Sequence, residues 1–424
     1  NASVNGIDFG TLRDYRLRVV KTMVGGLAGL LAHRGITVFR ANAAFHADET
    51  APATSNHIVH LVPSPDQSDI LTYHKADVPE PSGPTMDLTA TNIVIATGAK
   101  PRPLPGNPFA GALIDSTQAL EVNEFPSSAV IIGAGAIALE FASMWNAAGS
   151  KVTLLIRKDR VLSAWDRRAG TTLTRELKRH GVNIITRASV THVDTGANLG
   201  ATVHYTREGQ DGEQSVWGEI ALVAIGRDPI TDPAWGVTID DHGHVATDAY
   251  GRTDKPGVWA VGDVTAGHAL AHRAFEQGIV IAETIAGLNP KPVDEATVPQ
   301  IVFSFPEAAS VGLTVEQAQA REDLIEIKET NYPMLANARM LMSGTAGSLT
   351  IVSGCDAANP DTPRVLGVHM VSQMASDIIA EAEQLVGNHV PLAGAARLVH
   401  PHPTFSETLG EALLKADGRP LHTR

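Results

Sequence analysis

The chain has 424 residues, 43% hydrophobic and 19% charged, which suits about three ordinary globular cores and argues against a disordered or fibrous chain. Thirty-three Lys and Arg stand against 46 Asp and Glu, a net charge of −13 with no basic block, so neither nucleic acid nor an anionic membrane is an expected partner. The single cysteine, Cys355, excludes an internal disulfide and a cysteine-rich zinc site, and fits a cytoplasmic location.

The chain opens on Asn1, with no basic segment followed by an apolar one. No signal peptide is visible, and the sequence reads as beginning partway through a protein. No run of about 18 apolar residues occurs, so no transmembrane helix is expected. Residues 11–33 carry apolar side chains at helical spacing and predict one amphipathic helix. Residues 36–45 and 57–62 read as strands, and 64–84, rich in Pro and Gly, as a loop-rich hairpin insert. Residues 92–98, NIVIATG, are a buried strand ending in a tight turn. Residues 101–108, PRPLPGNP, cannot be helix and mark a boundary.

A β-α-β unit follows: strand and glycine turn at 128–135, helix at 136–149, strand at 151–157. Next come a helix at 170–181 and a strand at 182–193. ALVAIGRDP at 221–229 repeats the strand, small-residue turn and proline of NIVIATGAKP. Two such endings suggest two doubly wound nucleotide domains. Residues 258–263 read as another buried strand, followed by a helix at 269–286. Beyond 298, strands at 301–305, 348–353 and 364–371 mix with helices at 376–386 and 405–415, an α+β third domain. Cys355 falls between predicted strands, in what reads as a polar turn.

Gly133, Gly135 and Ala138 fit G-x-G-x-x-G/A between a predicted strand and a predicted helix, the context that gives this motif meaning. Gly133 permits the tight turn, Gly135 lets backbone approach a pyrophosphate, and Ala138 lets helix and strand pack closely. The second strand ends at Arg157, followed by Lys158, Asp159 and Arg160, where an NAD site would carry an acid for the ribose 2′-hydroxyl. A cation there suits a 2′-phosphate, so NADP is expected ahead of NAD.

These pieces, in this order, resemble the pyridine nucleotide–disulfide oxidoreductases over essentially the whole chain. The markers are ATG at 96–98, GAGAIALE, AIGRDP, VWAVGDVT, LAHRAFEQG, VPQIVF and the terminal HPHPTFSE. HPHPTFSE, LAH at 270–272, NAR at 337–339 and HMVSQMASDIIAEA look most like the dihydrolipoamide dehydrogenase branch. IRKDRVLSAWD looks like the NADPH-using glutathione reductases. The resemblance implies an α/β fold with two Rossmann-like nucleotide domains and a C-terminal α+β dimerisation domain. It divides the chain into the remainder of an FAD domain (1–125), an NAD(P) domain (126–240), a return segment (241–297) and the dimerisation domain (298–424).

It also implies FAD as cofactor. Thr97 and Gly98 would lie near the flavin nucleotide, Gly262 and Asp263 at its ribityl and pyrophosphate, and Leu270, Ala271 and His272 at its pyrimidine end. Glu140 would stand beside the nicotinamide, and Arg157, Arg160 and Gly226 would complete the coenzyme site. His402 and Glu407, five apart, match the family's acid–base pair, with histidine moving the dithiol proton and the carboxylate fixing its tautomer. The expected activity passes electrons between NAD(P)(H), flavin and a disulfide or dithiol, in a homodimer, with a lipoyl carrier as one candidate partner. No metal is expected; His400 with His402, and His268 with His272, both lack a suitably spaced third ligand.

Four departures leave alternatives open. The family's first glycine motif and its redox CxxxxC are not in these 424 residues, so full activity is not expected from the chain as written. Ala136 stands where glutathione reductases carry a tyrosine. Ser163 stands where they carry a second arginine. The terminal cysteine motifs of mercuric and thioredoxin reductases are also missing, which argues against both. A glutathione-reductase-like NADPH enzyme, a quinone or metal-ion reductase without redox cysteines, and a non-enzymatic remnant are the other readings.

Overall fold

A computed structural model describes residues 6–46, 57–65, 70–73, 85–196 and 200–423. They fall into two compact units, each built from two stretches of chain.

The first unit combines residues 1–100 with 228–293. Its opening helix, Phe9–His33, starts at Asp8, whose carboxylate accepts the Thr11 amide at 3.1 Å, an ordinary N-cap. The run 36–45 is broken. Val38–Arg40 pairs with Leu71–Tyr73, and Asn42–Phe45 joins His57–Val62 and Met86–Ala90 in a separate antiparallel sheet. Most of the expected insert at 64–84 lies outside the described residues. Ile93–Ile95 pairs in parallel with Val258–Ala260, Ile95 opposite Ala260. Among the described residues, this pair is the whole parallel sheet of the unit. Ile95, Val258, Ala260, Val237 and Val245 form its core, with Phe45 stacked on Trp235 at 5.9 Å. The predicted helix at 269–286 is present as Ala271–Ile285.

The second unit combines residues 101–227 with 294–424. Its five-stranded sheet runs Asn183–Ile185, Lys151–Leu155, Ser128–Ile132, Ile220–Val223, Leu113–Ile114, all parallel. These strands are buried on both faces, which explains their uninterrupted apolar runs. Ala129 and Ile131 face the helices Ala136–Ala147 and Arg167–Arg179. Val130 and Ile132 face Ala201, Val203 and Tyr205 of an antiparallel sheet made of Ala188–Asp194, Ala201–Arg207 and Gln214–Gly218. The sequence at 182–193 predicts one strand; the structure has two, in different sheets. Arg187, at φ +57°, turns the chain between them.

The C-terminal part of this unit is a five-stranded antiparallel sheet in the order Gln300–Val302, Glu307–Gly312, Asn359–Ser372, Ser348–Asp356, Leu324–Pro333. Helices Ala375–Gly387 and Glu407–Ala416 close its core. Cys355 is fully buried within strand Ser348–Asp356, not in a polar turn, and burial pushes its thiol up. The two parts of the unit are tied through buried Glu176. It accepts Arg179 at 2.6 Å and the Ala346 amide at 3.2 Å, while Arg179 also donates to the Gly344 carbonyl. Among the described residues, no helix is long and apolar enough to cross a membrane.

Candidate functional site

Three of the expected coenzyme positions sit at the carboxyl ends of adjacent parallel strands. Gly133 follows Ser128–Ile132, Arg157 follows Lys151–Leu155, and Gly226 follows Ile220–Val223. In parallel α/β sheets this is where ligands bind. Gly133 has φ +142°, and a Cβ there would lie 2.1 Å from the Ala224 carbonyl oxygen. A Cβ on Gly135 would meet nothing within 4 Å, so open space lies where a phosphate would approach. Gly135 begins the helix Ala136–Ala147 without a side-chain cap, which leaves amides of the first turn for an anion. Ala138 is fully buried against the turn. The turn therefore fits a dinucleotide pyrophosphate on steric and electrostatic grounds.

The loop after Arg157 folds back on the glycine turn, with the Leu162 amide donating to the Ala134 carbonyl at 3.0 Å. Its two arginines sit differently. Arg157 is exposed, and among the described residues it has no hydrogen-bond partner. The Arg160 side chain is only 15% exposed; it donates to the Ser163 carbonyl at 3.0 Å and lies 3.4 Å from Asp159. Arg160 thus staples its own loop, while Arg157 is the cation open to a ligand. Gly226 has φ +130°, and its carbonyl accepts the Arg102 amide at 3.1 Å. Glu140, on the same helix as Ala138, accepts the Phe303 amide at 3.0 Å. Burial raises its carboxyl above the usual range, and that hydrogen bond partly opposes the rise.

The flavin-side positions belong to the first unit. The Ile95–Ala260 register brings Thr97 and Gly98 out at the same sheet end as Gly262 and Asp263, and the Val261 amide donates to the Ile95 carbonyl. Thr97 donates its hydroxyl to the Ile230 carbonyl at 2.6 Å, and Gly98 turns at φ +72°. The Gly262 amide is held by Gln277 at 3.0 Å. The Asp263 carboxylate has no hydrogen-bond partner among the described residues and is open to hydroxyl donors. Leu270 precedes, and Ala271 and His272 open, the helix Ala271–Ile285, which has no side-chain cap. An acceptor carboxylate beside an uncapped helix end fits the sugar-like and phosphate parts of a flavin dinucleotide.

The proposed acid–base residues are a formed pair. His402 Nδ1 lies 2.7 Å from Glu407 Oε2, with the imidazole 75% exposed and the carboxylate 15% exposed. The other ring nitrogen, Nε2, has no hydrogen-bond partner among the described residues. The residue that holds Glu407 in place is Asn337, read from the sequence only as part of the NAR marker at 337–339. Asn337 is buried; its Nδ2 donates to Glu407 Oε1 at 2.7 Å and to the Thr404 carbonyl at 3.0 Å. Its Oδ1 caps helix Ala338–Ser343 through the Met340 amide. An Asn directly before a helical run is a readable cap signal; its grip on Glu407, 70 residues on, is not. Below the pair, burial together with Glu411 and Glu407 pushes the Tyr332 hydroxyl up to about 12.

His400 is a separate matter. Its Nε2 meets Glu381 at 2.9 Å, and its ring packs against Gly410, where a Cβ would come within 2.3 Å of Nδ1. The Glu381 hydrogen bond raises its titration point, with burial opposing. His400 and His402 thus each engage a different carboxylate and do not converge on one point.

Residues 4–278 match the family model for pyridine nucleotide-disulphide oxidoreductases, and residues 298–413 match the dimerisation domain of the same family. The chain is 31% identical over 421 residues to a dihydrolipoyl dehydrogenase of Geobacillus stearothermophilus, covering 98% of this chain and 82% of that protein. It is 37% identical over 341 residues to a dihydrolipoyl dehydrogenase of Cupriavidus necator, covering 79% and 70%. Among solved structures, LpdA of Mycobacterium tuberculosis superposes with a TM-score of 0.82 at 24% identity, over 98% of this chain and 84% of that one. The HOCl-induced flavoprotein disulfide reductase RclA of Escherichia coli gives 0.68 at 26% identity, over 78% and 74%. The chain therefore belongs to the pyridine nucleotide-disulphide oxidoreductases, as an α/β flavoprotein enzyme of dihydrolipoyl dehydrogenase type.

Proposed function

We propose that this enzyme exchanges electrons between a small dithiol–disulfide of the lipoyl class and NADP(H), as a homodimer whose proton transfer runs through His402. The observation that carries the reading is the His402–Glu407 pair, clamped by Asn337 within the dimerisation domain. When bound, flavin and nicotinamide supply the redox chemistry. The chain's own residues do the rest. Glu407 accepts the Nδ1 proton of His402, which leaves Nε2 as the exchanging nitrogen and stabilises the imidazolium formed there. That nitrogen takes a thiol proton as the dithiol is oxidised and returns it in the reverse direction. The Gly133–Gly135 turn holds the pyrophosphate, and Arg157 receives a 2′-phosphate. Glu140, half-buried, orders the segment around Phe303 at the coenzyme helix. Thr97, Gly98, Gly262, Asp263, Leu270, Ala271 and His272 hold the flavin. The domain division at 125, 240 and 297 goes with this reading.

The test is a turnover assay in a protein that also carries the family's cysteine pair, with dihydrolipoamide and each of NADP⁺ and NAD⁺, alongside sedimentation. Dihydrolipoamide-dependent reduction with preference for NADP⁺, in a dimer, supports the reading. Turnover of glutathione disulfide but not lipoamide, or a monomer at micromolar concentration, overturns it.

A further inference from the structure

The antiparallel sheet of the second unit carries a cluster that none of the roles above uses. Val190 pairs with Tyr205, and both turn toward the core. Regular alternation would next place Thr191 opposite His204 and send His192 inward, opposite Val203. A bulge intervenes, so His192 pairs with His204, Val193 with Val203 and Asp194 with Thr202. One extra residue thus re-aims a histidine to the outer face. There the two imidazoles stack, centroids 4.1 Å apart and planes 8° from parallel. Both Nδ1 atoms face Glu213, at 3.8 Å from His192 and 3.6 Å from His204. Both Nε2 atoms face Asp194, at 3.9 Å and 3.1 Å.

We infer that His192, His204 and Glu213 form a binding site for a divalent transition-metal ion, Zn²⁺ or Cu²⁺. Their ligand atoms lie within 4.8 Å of one another, and no other such group occurs among the described residues. An ion with bonds of about 2.0–2.1 Å in tetrahedral geometry spaces its ligands by about 3.3–3.4 Å, so the separations suit an ion once the two imidazoles rotate out of their stack and their in-plane lone pairs, parallel without it, converge. Two imidazoles and a carboxylate select this class of ion, whereas Mg²⁺ and Ca²⁺ prefer all-oxygen sets. Asp194 acts one step out. It accepts the Nε2 proton of His204 at 3.1 Å, which leaves the Nδ1 lone pair turned toward Glu213. Thr191 donates to Glu213 Oε1 at 2.7 Å and steadies that carboxylate; it also lies 3.3 Å from His192 Nδ1, a contact the ion replaces. With neutral imidazoles the four side chains carry two negative charges, and among the described residues neither carboxylate pairs with Lys or Arg. A dication neutralises them, and the half-exposed sheet face leaves its fourth position to water.

Untagged protein titrated by calorimetry with ZnCl₂, and separately with CuSO₄ monitored by electron paramagnetic resonance, tests the assignment. We expect one ion bound per site with nitrogen coupling in the Cu²⁺ spectrum, and a Zn²⁺-dependent rise in melting temperature. His204→Gln and Glu213→Gln should each weaken binding at least about tenfold, and Asp194→Ala by roughly 10–100-fold. His60→Gln, which removes a lone exposed histidine–carboxylate pair elsewhere, should leave binding unchanged. Circular dichroism without metal checks that each variant is folded. Unchanged affinity in both folded His204→Gln and Glu213→Gln, or no binding below about 1 mM, overturns the assignment.

Discussion

Asn337→Ala removes three hydrogen bonds at once, and their sum can be worked from the structure. The helix cap at Met340 contributes about 1 kcal/mol. The bond to Glu407, at 2.7 Å to a charged and largely buried acceptor, contributes about 1.5–3 kcal/mol. The Thr404 carbonyl loses its donor, for about 1 kcal/mol more. Members of one network do not add fully, so we expect a loss of about 3–4 kcal/mol. That is a large share of the roughly 5–15 kcal/mol of a typical domain, yet the chain still folds. Urea unfolding followed by circular dichroism should show a lower midpoint at unchanged slope. Dithiol turnover should fall at least about tenfold, because Glu407 no longer fixes the imidazole. Asn337→Asp separates the two effects. It keeps the cap acceptor but sets a second carboxylate against Glu407, so it should retain more of the cap energy while turnover still drops. If Asn337→Ala unfolds within about 0.5 kcal/mol of the native chain at an unchanged slope, Asn337 is not the clamp.

Arg157→Ala should weaken NADPH binding by about 1–3 kcal/mol and leave NADH nearly untouched, as titrated by coenzyme fluorescence; equal loss for both would make Arg157 a structural residue. Gly133→Ala should cost on the order of 3 kcal/mol and abolish coenzyme binding, because the new Cβ meets the Ala224 carbonyl oxygen at 2.1 Å. Thermal unfolding with and without NADPH checks both parts. The His400–Glu381 pair raises the histidine's titration point in the folded state, so its stabilisation is full below the ordinary value of about 6.5 and is lost as pH rises through the raised value. Glu381→Gln should flatten the stability–pH curve just above pH 6.5, measured by urea midpoints across that window.

The coenzyme half of the fold was legible because its signals are local. Gly133, Gly135 and Ala138 lie within six residues, and the flanking strands are buried on both faces, so apolar runs and glycines announce them. The break in 182–193 was not legible. Nothing in the composition of NIITRAS marks Arg187 as a left-handed residue that passes the chain from one sheet to another. Strands Ala201–Arg207 and Gln214–Gly218 were missed because half of their side chains are polar and face outward, which reads as loop. Strand Leu324–Pro333 was missed for the same reason. Cys355 was misplaced because Gly354 and Asp356 around it suggest a turn; its burial follows from pairing with distant strands. His402 and Glu407 were paired through the resemblance of HPHPTFSE to the family's terminal motif; their spacing alone reads as a structural turn. Asn337 could not be joined to them, nor His192 to His204, because the first contact spans 70 residues and the second depends on one bulge.

The proposed role of His402 is to move the dithiol proton. Its most direct test compares native protein with His402→Ala by stopped flow, in a form that carries the family's cysteine pair. Reduction of the flavin by NADPH should proceed at the native rate, because the residues proposed to hold the coenzyme do not include His402. Dihydrolipoamide oxidation should slow by roughly 10²–10⁴, the scale of general acid–base catalysis. Native-rate dihydrolipoamide oxidation in His402→Ala would rule out His402 as the group that takes the dithiol proton.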